Sequence, residues 1–257
     1  MTGQLQGSAS RSAQLLASAL IVLFLVVATV PYLWLIAHFG YDDILREPTA
    51  VILRSFHAGG APLVAAWFVF AMSALLFIPL ALALDRLGQP GARGLPSAMP
   101  LAVASAVAQC IGLLRWVLVV PGLSSAYVDA GATEVTKAAV VVVFEAVHHY
   151  GGMVIGEMVG QLLLAGWTLL AGWRLARSGV LPRWLCWAGS ATVPLWLLGQ
   201  TELLHQVVPT VPLYEVVPVA FMAWEAWLAA LAVGLAVRAL QRGRPAGGAR
   251  APTACAS

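Results

Sequence analysis

Six apolar runs separated by short polar connections constrain this chain more than any other feature. They are Leu15 to Leu35, Ala61 to Leu84, Pro100 to Val120, Met153 to Trp173, Trp184 to Leu204 and Glu215 to Arg238. A helix rises about 1.5 Å per residue, so about 20 apolar residues cross the roughly 30 Å hydrocarbon layer of a bilayer. Within that layer the backbone must satisfy its own polar groups, which leaves helices or closed barrels, and runs of this length are helices. The composition agrees: 61% of the residues are hydrophobic and only 10% are charged, far from the soluble norm of about one quarter charged. The expected fold class is all-α, a polytopic membrane protein with six transmembrane helices. One or two short surface helices are expected on the outer side, within the polar connection from Phe39 to Gly60.

The expected organisation is a cytoplasmic N-terminal segment over residues 1–14, a six-helix transmembrane domain over 15–238, and a disordered cytoplasmic tail over 239–257, rich in Arg, Gly, Pro and Ala. The first run is longer than the roughly 7 to 15 residues of a signal-peptide core, and no small-x-small cleavage site closes it. It reads as a retained span. Pro121 to Thr133 reads as a turn-rich loop, and Pro194 predicts a kink in the fifth span because proline removes a helix hydrogen bond.

Charge sets the orientation. Six spans place Arg11, Arg86, Arg93, Arg174, Arg177 and Arg183 on one side, together with the four arginines from Arg238 onward, and only Arg46, Arg54 and Lys137 on the other. Basic residues next to apolar runs stay in the cytoplasm, so both termini are expected there, in a cell inner membrane. The same placement explains the net charge of +3 by orientation in a lipid bilayer, with no nucleic-acid partner. The acids fall the other way, with Asp85 alone on the cytoplasmic side. Cys110, Cys186 and Cys255 have no paired spacing of a metal knuckle or disulfide framework.

The stretch from Glu134 to Arg177 carries the densest ionisable chemistry. An amphipathic segment ends at Tyr150 and contains Glu145, His148 and His149, and Gly151-Gly152 is expected to break the helix. The span that follows holds Glu157 and Gln161, with Gly152, Gly156 and Gly160 at four-residue spacing. Such a glycine series leaves one helix face flat enough for a neighbouring backbone to approach.

Gly156-Glu157 opening a span that ends in Trp167, followed by Ser178-Gly179-Val180-Leu181-Pro182-Arg183-Trp184-Leu185, resembles the bacterial six-helix membrane proteins catalogued as domain of unknown function 4386. The resemblance runs from about Leu15 to Arg238 and is strongest from Glu145 to Gly199. It implies a six-span bacterial inner-membrane protein and carries over no activity, ligand or catalytic residue.

Helical rise places Arg115, Glu157 and Gln161 at similar depth. An arginine facing lipid costs several kcal/mol, which pairing with Glu157 inside the bundle would partly offset. With Gln200, Glu202 and Glu225 these residues form the candidate ligand-binding set, expected to line an outward-facing polar cavity between spans three to six. Glu145 with His148, and Glu202 with His205, stand three apart and share a helix face where helical. Two Glu-x-x-His units plus Glu157 and Glu225 match formally the ligand complement of a di-iron or di-manganese bundle. A single hydrated Zn or Cu site drawn from Glu145, His148, His149 and His205 is geometrically simpler. Solvated interfacial residues account for the same histidines without a metal. No established cofactor is implied beyond that candidate divalent metal. No phosphate loop, nucleophile elbow or metalloprotease helix motif occurs. The leading expectation is an integral inner-membrane protein binding a small ligand or partner in the cavity. The alternative is a membrane-embedded enzyme, with or without a metal, and third is a small-solute transporter, weakened by the lack of an internal repeat.

Overall fold

The computed structural model describes residues 10–89 and 94–242, and every regular element among them is helical. Helix α1 spans Arg11–Phe39, with Ser10 capping its N-terminus through a hydrogen bond from Ala13 N and Gly40 closing its C-terminus at φ 68°. A 3-10 turn over Asp43–Arg46 follows. Helix α2, Thr49–Gly88, contains Gly60 at φ 56° and ψ −151°, a conformation open to glycine and barred to most residues. That residue separates a short helix from the long span beginning at Ala61, so the expected surface helix and second span are joined through one backbone kink.

Helix α3, Met99–Leu118, passes at Val119 into α4, Val120–Val128. The loop expected from Pro121 to Thr133 is therefore helical over its first two turns. Proline at the start of a helix gives up no hydrogen bond, since the first N–H groups have no partner there. Helix α5, Glu134–Val147, a π-helical segment, His148–Val159, and α6, Gly160–Ser178, run without interruption. Gly151-Gly152 thus does not end the helix as expected. The glycines lie inside the wider π turn, where they lie against α3.

The fifth helical run comes in three pieces: α7, Arg183–Ala188, a 3-10 turn over Gly189–Thr192, and α8, Val193–His205. The break falls immediately before Pro194, which then occupies the first turn of α8. Helix α9 spans Val217–Arg242, four residues into the tail expected to be disordered from Ala239; the rest of that tail and residues 1–9 lie outside the described residues. Among the described residues five helical stretches are long and apolar enough to cross a membrane, and the α7–α8 run supplies a sixth in pieces.

Two cores stack along the bundle axis. One joins Phe77, Trp167, Trp224 and Leu231 with α1 and α6 residues. The other is aromatic: Trp116 stacks between Phe56 and Trp67, with centroids 5.6 and 4.9 Å away and planes 25° and 12° apart. Helices α1 and α9 are neighbours, since Ser18 Oγ donates to Ala232 O at 2.9 Å and Phe24 meets Trp224 edge-on. Val30, Leu33 and Met222 are more than half exposed on the outside, which an acyl-chain environment accommodates and water would not.

Beneath the α2–α3 connection, Arg174 Nε of α6 lies 3.1 Å from Asp85 Oδ1, both side chains under 10% exposed. Its Nη1 donates to Pro96 O at 2.8 Å.

Candidate functional site

At the opposite end, the residues between α1 and α2 fold over a polar interior. Glycine makes this interior. A Cβ on Gly112 would come 2.6 Å from Gly156 Cα, and one on Gly160 would come 2.6 Å from Gln109 Cγ, so α3 and the π segment meet backbone to backbone. Ser105 Oγ fastens the seam by donating to Gly160 O at 2.8 Å, and it accepts from Gln109 Nε2 at 2.8 Å. The Arg115 guanidinium fills the space beside Gly152, where any Cβ would overlap it.

Arg115 is 6% exposed. Its Nη1 donates to Gly112 O at 2.5 Å and its Nη2 lies 3.9 Å from Glu157 Oε1, while Nε finds no protein acceptor. At 3.9 Å the carboxylate neutralises charge without making a direct hydrogen bond. Arg115 and Glu157 line a cavity of about 100 Å³ with Gln109, Gln161, Tyr41 and Asp42. A second space of similar size adjoins it, shares Tyr41, Asp42, Glu157 and Gln161, and adds Arg46, His148 and Glu202. Helices on every side of α3 and the π segment contribute walls, since Tyr32 comes from α1, Phe70 from α2, Gln161 from α6, Trp196 from α8 and Phe221 from α9.

Three carboxylates hold the covering loop through Arg46. Its guanidinium lies 2.7 Å from Glu202, 3.1 Å from Asp43 and 3.5 Å from Glu215. Burial works against the Arg46 charge, but the three acids outweigh it and raise its pKa above the ordinary value. Asp42 sits at φ 27°, a region that costs a non-glycine residue about 1 to 3 kcal/mol. It is held there by Tyr32, whose hydroxyl donates to Oδ2 at 2.8 Å. Burial pushes the Asp42 carboxyl above its ordinary value, with Glu202 adding to that, while Tyr32 and Arg46 oppose. Burial likewise holds the Tyr41 phenol well above its usual range, with Asp42 contributing.

The expected residues divide between places. Gln200 Nε2 donates to Gln161 Oε1 at 2.9 Å, and Glu202 is held by Arg46. Glu225 is 8% exposed and stands apart from Arg115: both its oxygens accept from Thr29 Oγ1 at 3.0 Å, on a groove of about 630 Å³ between α1 and α9. Tyr32 and Asp42 border both that groove and the Arg115 cavity.

The Glu-x-x-His pairs also separate. Glu145 accepts from Thr49 Oγ1 at 3.1 Å, His148 stacks on Phe144 at 5.3 Å and 13°, and His205 Nδ1 lies 2.7 Å from Val211 O. His149 sits 5.9 Å from His148, ring to ring. Among the described residues no three His, Cys, Asp or Glu side chains converge as metal ligands.

Sequence reasoning missed Tyr41, Asp42, Gln109 and Trp196 as lining residues. Asp42 carried the one usable signal, an Asp-Asp pair in a short connection directly after an aromatic belt.

This helical bundle, with a charged interior beneath a folded-over loop, is an all-α polytopic membrane protein. The chain belongs to the family described as Domain of unknown function (DUF4386), whose model matches residues 16–231. No curated protein and no solved structure matches it.

Proposed function

We propose that this is a bacterial inner-membrane protein with both termini in the cytoplasm, which binds a small polar solute entering the Arg115 cavity from the outer side. The observation that carries this reading is the cavity wall itself. A 6% exposed arginine has one carbonyl, one distant carboxylate and the Trp116 ring at 5.2 Å as protein partners, beside a space large enough for a few small heavy-atom groups. Charge inside a membrane protein is costly and faces a partner or a cavity. The π segment supports the same reading, because such turns concentrate at functional sites, and here one presents Glu157 to the cavity. The excess of arginine at the far face supports the orientation.

Thiol accessibility tests it in the full chain with its native cysteines replaced. A cysteine at Thr210 should react with an impermeant reagent on intact spheroplasts, and one at Ser178 should not. A cysteine at Gln161 should react with a small neutral reagent, while one at Leu164, in the core, should stay silent. An unreactive Gln161→Cys would overturn the cavity reading, and a reversed Thr210 and Ser178 pattern would overturn the orientation.

Transport is a second reading, favoured by the 3-10 turn that interrupts the α7–α8 run, since interrupted helices serve transporters as hinges. Solute flux in proteoliposomes would separate it from binding alone.

A further inference from the structure

Aromatic side chains dominate the apolar part of the Arg115 cavity. Tyr32, Tyr41, Phe70, Trp196 and Phe221 all line it. Tyr32 packs against Tyr41, Phe70 and Phe221 with centroids 5.7, 5.9 and 5.5 Å away. Two carboxylates, Asp42 and Glu157, share the walls with a single arginine. That arginine is already directed toward Gly112 O and Glu157, so it offsets one carboxylate and leaves the lining with an excess of negative charge.

The approach has the same sign. The adjoining space adds Glu202, and its Arg46 is engaged by three acids. The loops and helix ends on this face carry Asp43, Glu47, Asp129, Glu134, Glu202 and Glu215 against Arg46, Arg54 and Lys137. An acidic rim over low-dielectric walls raises the local concentration of cations and speeds their arrival.

Aromatic faces attract a cation within about 6 Å of the ring centroid, and clustered rings recognise alkylated ammonium groups. A weakly hydrated organic cation suits aromatic walls better than a metal ion, which needs converging ligands, and among the described residues no three His, Cys, Asp or Glu side chains converge. Volume limits its size: the cavity is about 100 Å³ and the space adjoining it is as large, which suits a small solute. Resting on the solute-binding reading above, we propose that the cavity takes a small alkylammonium ion, with the aromatic rings and Asp42 around the charged group. Arg115 then faces the other end of the ligand and favours one bearing a hydrogen-bond acceptor. The ammonium group arrives either on a free solute or as the headgroup of a membrane lipid.

Differently charged thiol reagents decide the class. The full chain with Gln161→Cys as its sole cysteine is reconstituted into phosphatidylglycerol nanodiscs. Its modification rates by trimethylammonium-ethyl, neutral and sulfonatoethyl methanethiosulfonates are normalised to their rates with a free thiol. The cationic reagent should react at least tenfold faster than the anionic one. That ratio should collapse toward one in Asp42→Asn, with Tyr41→Leu as a second variant that leaves the carboxylates in place and should also lower it.

Tetramethylammonium chloride should slow the cationic reagent, whereas sodium chloride at equal ionic strength should not. Protection by phosphatidylcholine in the nanodisc, without protection by the free ion, would assign the ammonium group to a lipid headgroup. Brisk neutral modification with no preference for the cation, or with no protection from either source, would overturn the alkylammonium class and leave solute binding standing. Failure of all three reagents would remove both readings.

Discussion

Tyr32 donates its hydroxyl proton to Asp42 Oδ2 at 2.8 Å, and this bond ties the end of α1 to the loop covering the cavity. It also stands between two spaces, the Arg115 cavity and the groove that Glu225 borders. A hydrogen bond to a charged group contributes about 1.5 to 3 kcal/mol. Tyr32→Phe should therefore lower the thermal midpoint in detergent and raise hydrogen exchange of the 40–47 backbone while leaving α9 protected. Uniform loss of protection across the chain would show that the bond supports the whole bundle and not the loop.

Asp42 also gives the stability curve a definite slope. Its carboxyl is raised above the ordinary value of 3.8, chiefly by burial, so the folded chain holds that proton more tightly than the unfolded chain. The sign follows from linkage. The contribution of Asp42 to stability is greatest below the ordinary carboxylate value and declines as pH rises from there through the folded pKa. Subtracting the melting curve of Asp42→Asn from that of wild type should leave this decline over that window, and parallel curves would contradict the assignment.

Arg115 and Glu157 should couple unequally. Arg115 is 6% exposed and bonds a carbonyl as well as facing the acid, whereas the Glu157 side chain is 32% exposed. Removing one member of a buried pair costs about 3 to 5 kcal/mol because it strands the other charge, so Glu157→Ala, which strands the buried Arg115, should approach that range, whereas Arg115→Ala should act chiefly through the lost carbonyl bond and packing. The double variant should be less destabilised than the sum of the two. Strict additivity in thermal or denaturant unfolding would mean that 3.9 Å of separation carries no interaction.

The α3 seam predicts a contrast between glycines. Gly112→Ala sets a Cβ 2.6 Å from Gly156 Cα, and backbone can yield there only by parting the helices. Overpacking of this kind costs about 1 to 3 kcal/mol. Gly122 in α4 has open space around its Cβ position, so Gly122→Ala should be neutral or should stabilise by up to about 1 kcal/mol through helix propensity. Equal effects at both positions would argue against the close approach.

At the other end of the bundle, Arg174→Ala and Asp85→Ala should both destabilise by about 3 to 5 kcal/mol, as expected for breaking a buried ion pair. The two losses should be comparable, because Arg174 also holds Pro96 O while Asp85 also accepts from Ser97 Oγ and Ala98 N. Little loss in either variant, measured by the same melts, would argue against the pair.

Length and hydropathy alone outlined the helical bundle, since crossing about 30 Å of hydrocarbon leaves a chain little choice. The common depth of Arg115 and Glu157 was legible from helical rise. The π segment was not, because an i→i+5 turn is sustained by what packs against it, and Gly112 lies more than thirty residues earlier in the chain. Tyr41 and Asp42 were equally hidden. A Tyr-Asp-Asp sequence after a span reads as a solvated connection, and contacts such as the 2.7 Å one between Arg46 and Glu202, 156 residues apart, fold it inward. Glu225 illustrates the converse: a charge within a span invites grouping with other charges, yet a neighbouring threonine on α1 suffices to hold it.

The adjacency of α1 and α9 makes assembly a matter of waiting. Thr29 and Glu225 are 196 residues apart, so at about 5 to 20 residues per second the first helix stands in the bilayer for roughly 10 to 40 seconds before its acidic partner is synthesised. Over that interval Thr29 and Ser18 must turn to their own backbone or to lipid, and the ring of helices remains open on one side. Helix α9 therefore closes the bundle against α1, and a ribosome that stalls within it would leave the described helices before it in place and a side door ajar.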